Sequence, residues 1–333
     1  MNERYSRQIL FENIGVEGQE KIAQKHVLII GMGALGTHLA DGLARAGVRK
    51  LTIVDRDYIE FSNLQRQTMY TEQDAKEALP KVIAAESRLK EIREDIEIDA
   101  YIEQVNALFL EKHAQNVDLI LDATDNFDTR LLVNDFAYKY NIPWIYGGVV
   151  QSTYIEAAFI PGQTPCFNCV MPQLPVINMT CDTVGVIQPA VTMTTSLQLR
   201  DALKILTETP FTPKLTYGDI WEGTHYTFGF SRMFDPHCTT CGEHPTYPHL
   251  HETDQQFATL CGRDTVQYSN ENITQEMLKQ YLEAHHIHYH ANPYMLRFEF
   301  NGHRIVSFSG GRMLIHGMTK PTEAIKLMNQ LLG

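Results

Sequence analysis

Three glycines and one aspartate are the first residues that indicate nucleotide chemistry. Gly31, Gly33 and Gly36 have the spacing G-x-G-x-x-G, and Asp55 follows 19 residues after the last of them (55 − 36 = 19). Glycines at this spacing let the backbone approach phosphate groups, and the acidic residue can accept hydrogen bonds from ribose hydroxyls. This pattern alone favours a nicotinamide-dependent oxidoreductase, with a glycine-rich turn that binds no ligand as the alternative.

Amide and charged side chains further along the chain favour a triphosphate instead. Asn63, Arg66 and Lys81 follow the second predicted strand, and Asp125 lies beyond a later strand that ends at Asp122. Cationic side chains and a carboxylate that can hold Mg²⁺ are the groups that a nucleoside triphosphate needs. Each residue taken singly is more often a solvated surface group. Their common position at the strand ends of one parallel sheet nevertheless predicts a site.

Four of the six cysteines form two close pairs, which predict a metal site. Cys166 and Cys169 are one C-x-x-C pair, and Cys238 and Cys241 are the other. Two such knuckles fit a tetrahedral zinc with four thiolate ligands. Because no position is left for water, the predicted zinc is structural. Two separate redox dithiols are the alternative.

The segments that carry these residues alternate between strand-like and helix-like patterns. Short apolar runs predict strands at 27–30, 51–54, 96–100, 117–122 and 144–146. Helical spacing predicts helices over 35–46, from Pro80 through Leu89, and over 128–140. Strands separated by helices of this length imply an α/β fold with a Rossmann-like, mostly parallel sheet that is covered on both faces.

Two changes of composition divide the rest of the chain. Gly, Pro and Thr become more frequent from about residue 150, where a helix is predicted over 194–206. From residue 250, a helix that begins near Thr274, a hairpin around Asn301-Gly302 and a last helix over 321–332 predict a small α+β unit. The expected domains are therefore 1–249, which includes the nucleotide and cysteine motifs, and 250–333, for which no role is predicted.

The composition excludes several classes of protein. The chain has 333 residues, with 40 Asp and Glu against 28 Lys and Arg, so its formal net charge is −12. This balance argues against a wide basic surface for nucleic acid. No apolar run approaches the roughly 18 residues of a membrane span, and residues 1–4 do not lead into a signal peptide. We therefore expect a cytoplasmic protein that binds neither nucleic acid nor membrane.

An ordered series of motifs over about residues 4–245 carries a resemblance to one family. The motifs are residues 4–8, the glycine loop, 55–57, 62–67, Pro80-Lys81, 123–126 and the two cysteine pairs. Together they resemble the ThiF/MoeB family, the bacterial relatives of ubiquitin-activating enzymes. The resemblance implies an adenylyltransferase that uses ATP and Mg²⁺, acts on the C-terminal glycine carboxylate of a small ubiquitin-like sulfur carrier, and releases pyrophosphate.

The resemblance also implies the main nucleotide contacts. Asp55 would bind the ATP ribose, Asn63, Arg66 and Lys81 would hold the phosphates, and Asp125 would hold the magnesium. Positioning and neutralisation of the developing charge by Arg66, Lys81 and the metal are expected to supply most of the rate, since the step needs little acid or base chemistry.

Further residues complete the implied site. Asp57 and Asn126 are counted among the nucleotide-binding residues, as are the glycines of the loop. Ala34 stands where the family often has glycine, and because its N–H stays available we expect binding to survive. Arg7 would reach into the nucleotide site of a partner subunit, since family members are homodimers. Cys181 matches a mobile-loop cysteine and is a candidate sulfur-handling thiol, although adenylation itself is not expected to need it.

The motifs do not decide the identity of the carrier or the roles of some residues. A MoaD-like carrier of molybdenum cofactor biosynthesis is the first choice, and a ThiS-like carrier of thiamine thiazole biosynthesis is the alternative, because both families share these motifs. A sulfurtransferase or a cysteine desulfurase is a further candidate partner. The oxidoreductase is disfavoured by Arg66, Lys81 and the two cysteine pairs. A noncatalytic scaffold for a ubiquitin-like protein is disfavoured because the full set of nucleotide residues is present on this one chain. Cys261 is interpreted as structural, and four histidines are interpreted as surface residues rather than metal ligands: His285, His286, His288 and His290.

Overall fold

A computed structural model describes residues 3–173, 184–251, 257–259, 264–270 and 272–332. The chain divides into two compact units, Met1–Glu252 and Thr253–Gly333. Two residues with predicted roles, Cys181 and Cys261, lie outside the described residues. In the described part of the chain, no helix has the length and apolar character needed to cross a membrane.

The first unit is built around one sheet with helices on both sides. Its strands are β1 (His26–Ile30), β2 (Lys50–Val54), β3 (Glu97–Tyr101), β4 (Leu119–Asp122), β5 (Trp144–Val150), β6 (Thr153–Phe159), β7 (Leu215–Asp219) and β8 (Thr224–Phe228). Its helices are α1 (Ser6–Ile9), α2 (Gly15–Ile22), α3 (Ala34–Ala46), α4 (Glu72–Glu77), α5 (Lys81–Ile92), α6 (Ala107–His113), α7 (Phe127–Lys139), α8 (Phe167–Val170) and α9 (Gln188–Leu206). Among the described residues, the strand order is β3-β2-β1-β4-β5-β6-β7-β8.

The sheet has a parallel half and an antiparallel half. Strands β3, β2, β1, β4 and β5 pair in parallel, whereas β6, β7 and β8 add antiparallel pairs. The parallel half confirms the predicted Rossmann-like fold. Strand order reverses between β1 and β4, and ligands of open α/β sheets bind beyond the carboxyl ends of the strands at such a point.

Strand β1 shows why its run of apolar residues is continuous rather than alternating. Val27 and Ile29 are buried in one core, which includes residues of α3 and α5. Leu28 and Ile30 are buried in the other core, with residues of α6 and α7. A strand that is covered on both faces has no solvent-facing positions, so every position favours an apolar side chain.

Most predicted elements are confirmed, with differences at their ends. Helix α3 ends as expected at Gly47, which has the left-handed φ of 99°. Pro80 precedes α5 as its N-cap instead of lying within the first turn. Helix α9 begins at Gln188, six residues before the predicted start (194 − 188 = 6), with Pro189 in its first turn. Proline is accepted there because a first-turn N–H has no partner within the helix.

A buried ionic cluster joins β6 to α9. Glu156 on β6 is fully buried, and its Oε2 accepts a hydrogen bond of 3.1 Å from Arg200. Asp201 is also buried and pairs with Arg200 at 2.8 Å and with Lys204 at 2.9 Å. Burial, followed by the nearby charge of Asp201, raises the pKa of Glu156 well above its ordinary range.

We expect this pKa to make stability depend on pH. At pH values between the ordinary pKa of a carboxyl group and the raised pKa of Glu156, this side chain is protonated in the folded protein and ionised in the unfolded chain. The free energy of unfolding therefore falls as pH rises above about 5, by up to about 1.4 kcal/mol per pH unit. Glu156→Gln should flatten this slope in denaturant unfolding measured from pH 5.5 to 8.5. The exposed control Glu222→Gln should keep the wild-type slope, and a Glu156→Gln slope equal to it would refute the prediction.

The second unit has its own antiparallel sheet and core. Its strands are β9 (Phe257–Thr259), β10 (Thr265–Ser269), β11 (Tyr289–Ala291), β12 (Met295–Phe300), β13 (His303–Phe308) and β14 (Arg312–His316), and its helices are α10 (Gln275–Ala284) and α11 (Pro321–Leu332). In the described residues the order is β11-β12-β13-β14-β10-β9. Leu278 and Met328 of the helices pack with Ile305 of the sheet. The predicted hairpin turn is confirmed, since Asn301 and Gly302 have φ values of 49° and 79°.

Candidate active site

The glycine loop joins β1 to α3 and is closely packed at two of its three glycines. Gly31 has a φ of 94°, and a Cβ there would stand 2.6 Å from the carbonyl oxygen of Ala123. A Cβ on Gly36 would collide with the carbonyl oxygen of Gly31. Gly33 differs, because a Cβ there would meet only Gln67 Nε2, at 3.8 Å. Gly33 caps α3 without any side-chain hydrogen bond, so the first N–H groups of this helix are suited to an anion.

Asp55 follows β2 and is tied to the glycine loop. Its Oδ2 accepts a hydrogen bond of 2.6 Å from the Met32 N–H, and its Oδ1 accepts one of 2.7 Å from the Asp57 N–H. A carboxylate has about four acceptor positions, so Asp55 can also accept bonds from ribose hydroxyls. These contacts set the distance between the acidic residue and the phosphate-binding loop.

Lys81 is a buried cation with a carboxylate beside it. Its Nζ lies 3.3 Å from Oδ2 of Asp57, and the two side chains are 4% and 11% exposed. The Tyr70 hydroxyl donates to the carbonyl of Met32 at 2.6 Å and to that of Lys81 at 3.2 Å. Burial raises the pKa of Tyr70 far above its ordinary value, so the hydroxyl remains a donor. Tyr70 thereby links the glycine loop to the start of α5.

Asn63 and Arg66 lie on a short helical turn before α4. Asn63 is buried, and its Oδ1 accepts a hydrogen bond of 2.9 Å from the Glu60 N–H, which fixes the turn. Arg66 is half-buried, and its Nη1 donates to the carbonyl of Ser62 at 3.0 Å. Arg66 is therefore partly exposed to solvent, whereas the side chain of Lys81 is 4% exposed.

A buried ion pair holds the turn between β4 and α7. Asp122 accepts from Arg130 Nε at 2.8 Å and from the Thr124 N–H at 2.9 Å. The turn presents Asp125, which is exposed, and Asn126, whose side chain caps the first turn of α7. Asp125 is thus an accessible oxygen ligand on a rigid support, which suits a hard cation such as Mg²⁺.

These groups meet at one edge of the sheet. Ile30 is in register with Val54 on β2 and with Asp122 on β4, so the residues that follow these strands lie level with one another. The glycine loop, Asp55 and the 122–126 turn are therefore neighbours, as expected for carboxyl ends of parallel strands.

Arg7 lies elsewhere in the same unit. It is exposed on α1, next to Gln8, whose Nε2 donates to the Ala46 carbonyl at 2.9 Å. Ala46 is the last residue of α3, about 18 Å along the helix from the glycine loop at 1.5 Å per residue. A single chain thus does not bring Arg7 to its own glycine loop.

Three residues that support the site were given no role from the sequence, although Gln67 ends the 62–67 motif. Gln67 and Tyr70 fall in a polar segment without clear periodicity, and their packing against the glycine loop depends on the tertiary structure. Arg130 carried a usable pattern, because it follows Asn126 by four residues and so lies on the same face of α7.

The four paired cysteines come together in the first unit. Their Sγ atoms all lie within 4.8 Å of one another. The distance is 3.5 Å from Cys166 to Cys238, 3.5 Å from Cys169 to Cys241, and 4.0 Å from Cys166 to Cys169. Tetrahedral Zn–S bonds of about 2.3 Å place sulfurs roughly 3.8 Å apart, whereas a disulfide needs about 2.05 Å. The cluster therefore fits zinc better than two dithiols.

Helix α7 anchors this cluster to the sheet. Asp135 is fully buried and accepts hydrogen bonds from the Thr240 hydroxyl and, at 2.9 Å, from the His249 N–H. Asn134 Oδ1 accepts a hydrogen bond of 2.9 Å from the Phe167 N–H. Each of these contacts joins α7 to a segment that carries or follows a cysteine pair.

The four cysteines are the only group of potential metal ligands among the described residues. No other group of three or more His, Cys, Asp or Glu side chains there has ligand atoms close enough to share an ion. The four histidines near the C-terminus are all exposed, which confirms their interpretation as surface residues: His285, His286, His288 and His290.

The fold and the site define a Rossmann-like nucleotide-binding protein with a four-cysteine cluster. The model of the ThiF family matches residues 5–241, and the chain belongs to this family. The resemblance inferred from the motifs is thereby confirmed.

Individual proteins show the same relationship. The Bacillus subtilis (strain 168) protein named "Sulfur carrier protein ThiS adenylyltransferase" is 40% identical over an alignment of 338 positions, which covers 100% of both chains. The Escherichia coli (strain K12) protein of the same name is 36% identical over 62% of this chain and 83% of its own. The crystal structure of E. coli MccB with ATP shares the fold, with a TM-score of 0.63 at 23% identity, over 73% of this chain and 75% of that one.

Proposed function

We propose that the protein adenylates the C-terminal carboxylate of a ThiS-like sulfur carrier protein with ATP and releases pyrophosphate. It is an adenylyltransferase that acts on a sulfur carrier. The observation that carries the choice of carrier is the 40% identity to the B. subtilis ThiS adenylyltransferase over the whole chain, including the second unit. This choice reverses the order expected from the motifs, in which a MoaD-like carrier and molybdenum cofactor biosynthesis came first.

The reaction converts a poor electrophile into a reactive one. A carboxylate oxygen of the carrier attacks the α-phosphorus of ATP, the bond from that phosphorus to the bridging oxygen breaks, and pyrophosphate leaves with the electron pair. The product is an acyl adenylate. No proton has to move in this step, so positioning and charge neutralisation are the tasks left to the protein.

The residues at the sheet edge suit these tasks. We assign the ribose to Asp55 and the phosphates to the start of α3, where the Gly33 and Ala34 region is free of side-chain caps. Arg66 brings accessible positive charge, and Lys81 brings buried positive charge that Asp57 holds in place. Asn63 and Asn126 fix the turns that present Arg66 and Asp125.

Asp125 is the residue proposed to hold magnesium. Its carboxylate is exposed, and the Asp122–Arg130 pair holds the turn behind it. Mg²⁺ held there would help to neutralise the charge of the phosphates. The four cysteines would hold a zinc whose role is structural, since all four ligand positions are taken by protein.

We also propose that the protein is a homodimer. Arg7 lies near the far end of α3, so it can serve a nucleotide only in another chain. Transfer of sulfur to the adenylated carrier would need a donor, and a sulfurtransferase or a cysteine desulfurase stays the predicted partner.

An exchange assay with both carriers tests the proposed function. With purified ThiS-like carrier, the protein is expected to exchange labelled pyrophosphate into ATP, and the rate should be at least about tenfold lower with a MoaD-like carrier at equal concentration. A carrier that lacks its C-terminal glycine serves as the matched control and should give no exchange. Exchange with the MoaD-like carrier alone would restore the first expectation, and carrier-independent exchange would refute the proposal.

A further inference from the structure

Strands β4 and β5 stop pairing at the point where the 122–126 turn leaves the sheet. Their parallel register pairs Leu121 with Ile145 and ends there. Asp122, the next residue on β4, is buried, so its backbone carbonyl is removed from water. A buried carbonyl beyond the end of a ladder needs a donor from another part of the fold.

The side chain of Gln198 on α9 supplies that donor. Gln198 is fully buried, and its Nε2 donates to the carbonyl of Asp122 at 2.8 Å and to that of Ile145 at 3.5 Å. Both neighbours are carbonyls, so the amide faces them with its NH₂ group. Its Oε1 atom has no hydrogen bond. The contribution of this amide to the fold is therefore its donor contact with the ends of the two strands.

Gly147 on β5 leaves the room that this contact requires. A Cβ on Gly147 would stand 2.5 Å from the Cδ and Nε2 atoms of Gln198, so a larger residue would push the amide away. The Gly147 carbonyl accepts a hydrogen bond of 3.1 Å from Arg130. Helices α7 and α9 pack in the two different cores of the sheet. Arg130 and Gln198 therefore hold the ends of β4 and β5 together from opposite faces.

We propose that Gln198 is a positioning residue for adenylation, because it fixes the turn from which Asp125 reaches the nucleotide. The inference rests on the proposed function, which gives Asp125 its role. Arg130 holds the side chain of Asp122 at 2.8 Å, and Gln198 holds the carbonyl of the same residue. The start of the turn is thus tied to α7 and to α9. A misplacement of about 1 Å at a reacting site can cost about 100-fold in rate.

Gln198→Met tests the donor, since it keeps the approximate size of the side chain and removes the amide. In the exchange assay with saturating ATP and ThiS-like carrier, kcat should fall roughly 10- to 100-fold. The KM for the carrier and the equilibrium affinity for AMP should stay within about twofold, because AMP would need Asp55 and the start of α3 rather than Asp125. Every variant is assayed at a temperature at which circular dichroism shows it to be folded.

A second pair of variants separates the donor contact from packing. Gly147→Ala should displace the Gln198 amide from Asp122 and lower kcat to a similar extent. In Gln198→Ala/Gly147→Ala the new methyl group enters space that the amide has vacated, so the midpoint of thermal unfolding should lie above that of Gly147→Ala. The kcat of the double variant should nevertheless stay low, because the donor to the Asp122 carbonyl is still missing.

Thr195 on the same helix offers a matched control. It is buried, and its hydroxyl donates to the carbonyls of Val191 and Thr192 within α9, each at 3.1 Å. Thr195→Val removes a buried polar group from α9 without touching the 122–126 turn, so kcat should equal that of wild type.

Each other outcome has a definite meaning. Wild-type kcat in Gln198→Met, or recovery of kcat together with stability in the double variant, would overturn the positioning role and leave the proposed function intact. A loss of AMP affinity as large as the loss of kcat would also overturn it, as would an equal loss of kcat in Thr195→Val. A wild-type protein that shows no carrier-dependent exchange would overturn the proposed function and this inference together.

Discussion

Carrier-dependent ATP–pyrophosphate exchange is expected to fall by at least about 100-fold in Lys81→Met and in Arg66→Ala. Loss of one group that stabilises developing charge in an enclosed site typically costs about 10²- to 10³-fold in rate. The two residues supply the positive charge assigned to the phosphates in the proposed site. The measurement is the initial rate of labelled pyrophosphate exchange with saturating ThiS-like carrier.

Because Lys81 is buried beside Asp57, a second variant that removes both charges is needed to separate activity from stability. Asp57 lies 3.3 Å from the Lys81 amine and is 11% exposed, so Lys81→Met removes the cation beside a buried carboxylate, at a cost of about 3 to 5 kcal/mol in stability. The double variant Lys81→Met/Asp57→Asn removes both charges and should recover most of this stability. Exchange should nevertheless stay low in the double variant, because the positive charge is still missing.

A matched control comes from the same helix. Lys90 on α5 is exposed and pairs with Glu86, so Lys90→Met makes the same chemical change away from the site and should leave exchange unchanged. Near-normal exchange in both Arg66→Ala and Lys81→Met would contradict the assignment of the phosphate site. Recovery of exchange in the double variant would show that the Lys81 charge acts through folding alone.

Removal of one cysteine of the cluster is expected to have the largest effect on stability. Cys238→Ser should lose the zinc and lower the midpoint of thermal unfolding strongly, because structural zinc sites have apparent binding free energies of about 10 to 16 kcal/mol. The measurement is metal content per chain by elemental analysis, together with thermal unfolding. Wild-type protein should contain one zinc per chain.

The control for this experiment is a cysteine outside the pairs. Cys261→Ser should retain one zinc, because Cys261 does not belong to either C-x-x-C pair. Wild-type protein without zinc, in which four thiols react under native conditions, would refute the metal site. Loss of activity in Cys238→Ser without loss of zinc or of stability would refute its structural role.

The first five strands and the long helices between them follow from local pattern. Apolar runs such as 27–30 occur because both faces of the parallel sheet are buried, so consecutive positions of a strand all carry apolar side chains. The sequence pattern of strands β6, β7 and β8 is weaker. Fully buried Glu156 interrupts the apolar pattern of β6, and most residues of β8 are exposed. The pairing of β6 with β7 depends on contacts between segments more than 50 residues apart, as between Glu156 and Thr216.

Some features of the candidate site likewise follow from local sequence, and others depend on the tertiary structure. The spacing of Gly31, Gly33, Gly36 and Asp55 is a local property, and so is the spacing within each cysteine pair, so the sequence by itself determined the nucleotide loop and the metal-binding motifs. Only the tertiary structure decided that the two pairs, 72 residues apart, share one cluster. The same holds for the pairing of Lys81 with Asp57 and for the position of Gln67 beside Gly33. Burial and hydrogen-bond partners are set by how distant segments pack, and residue types and spacing do not contain that information.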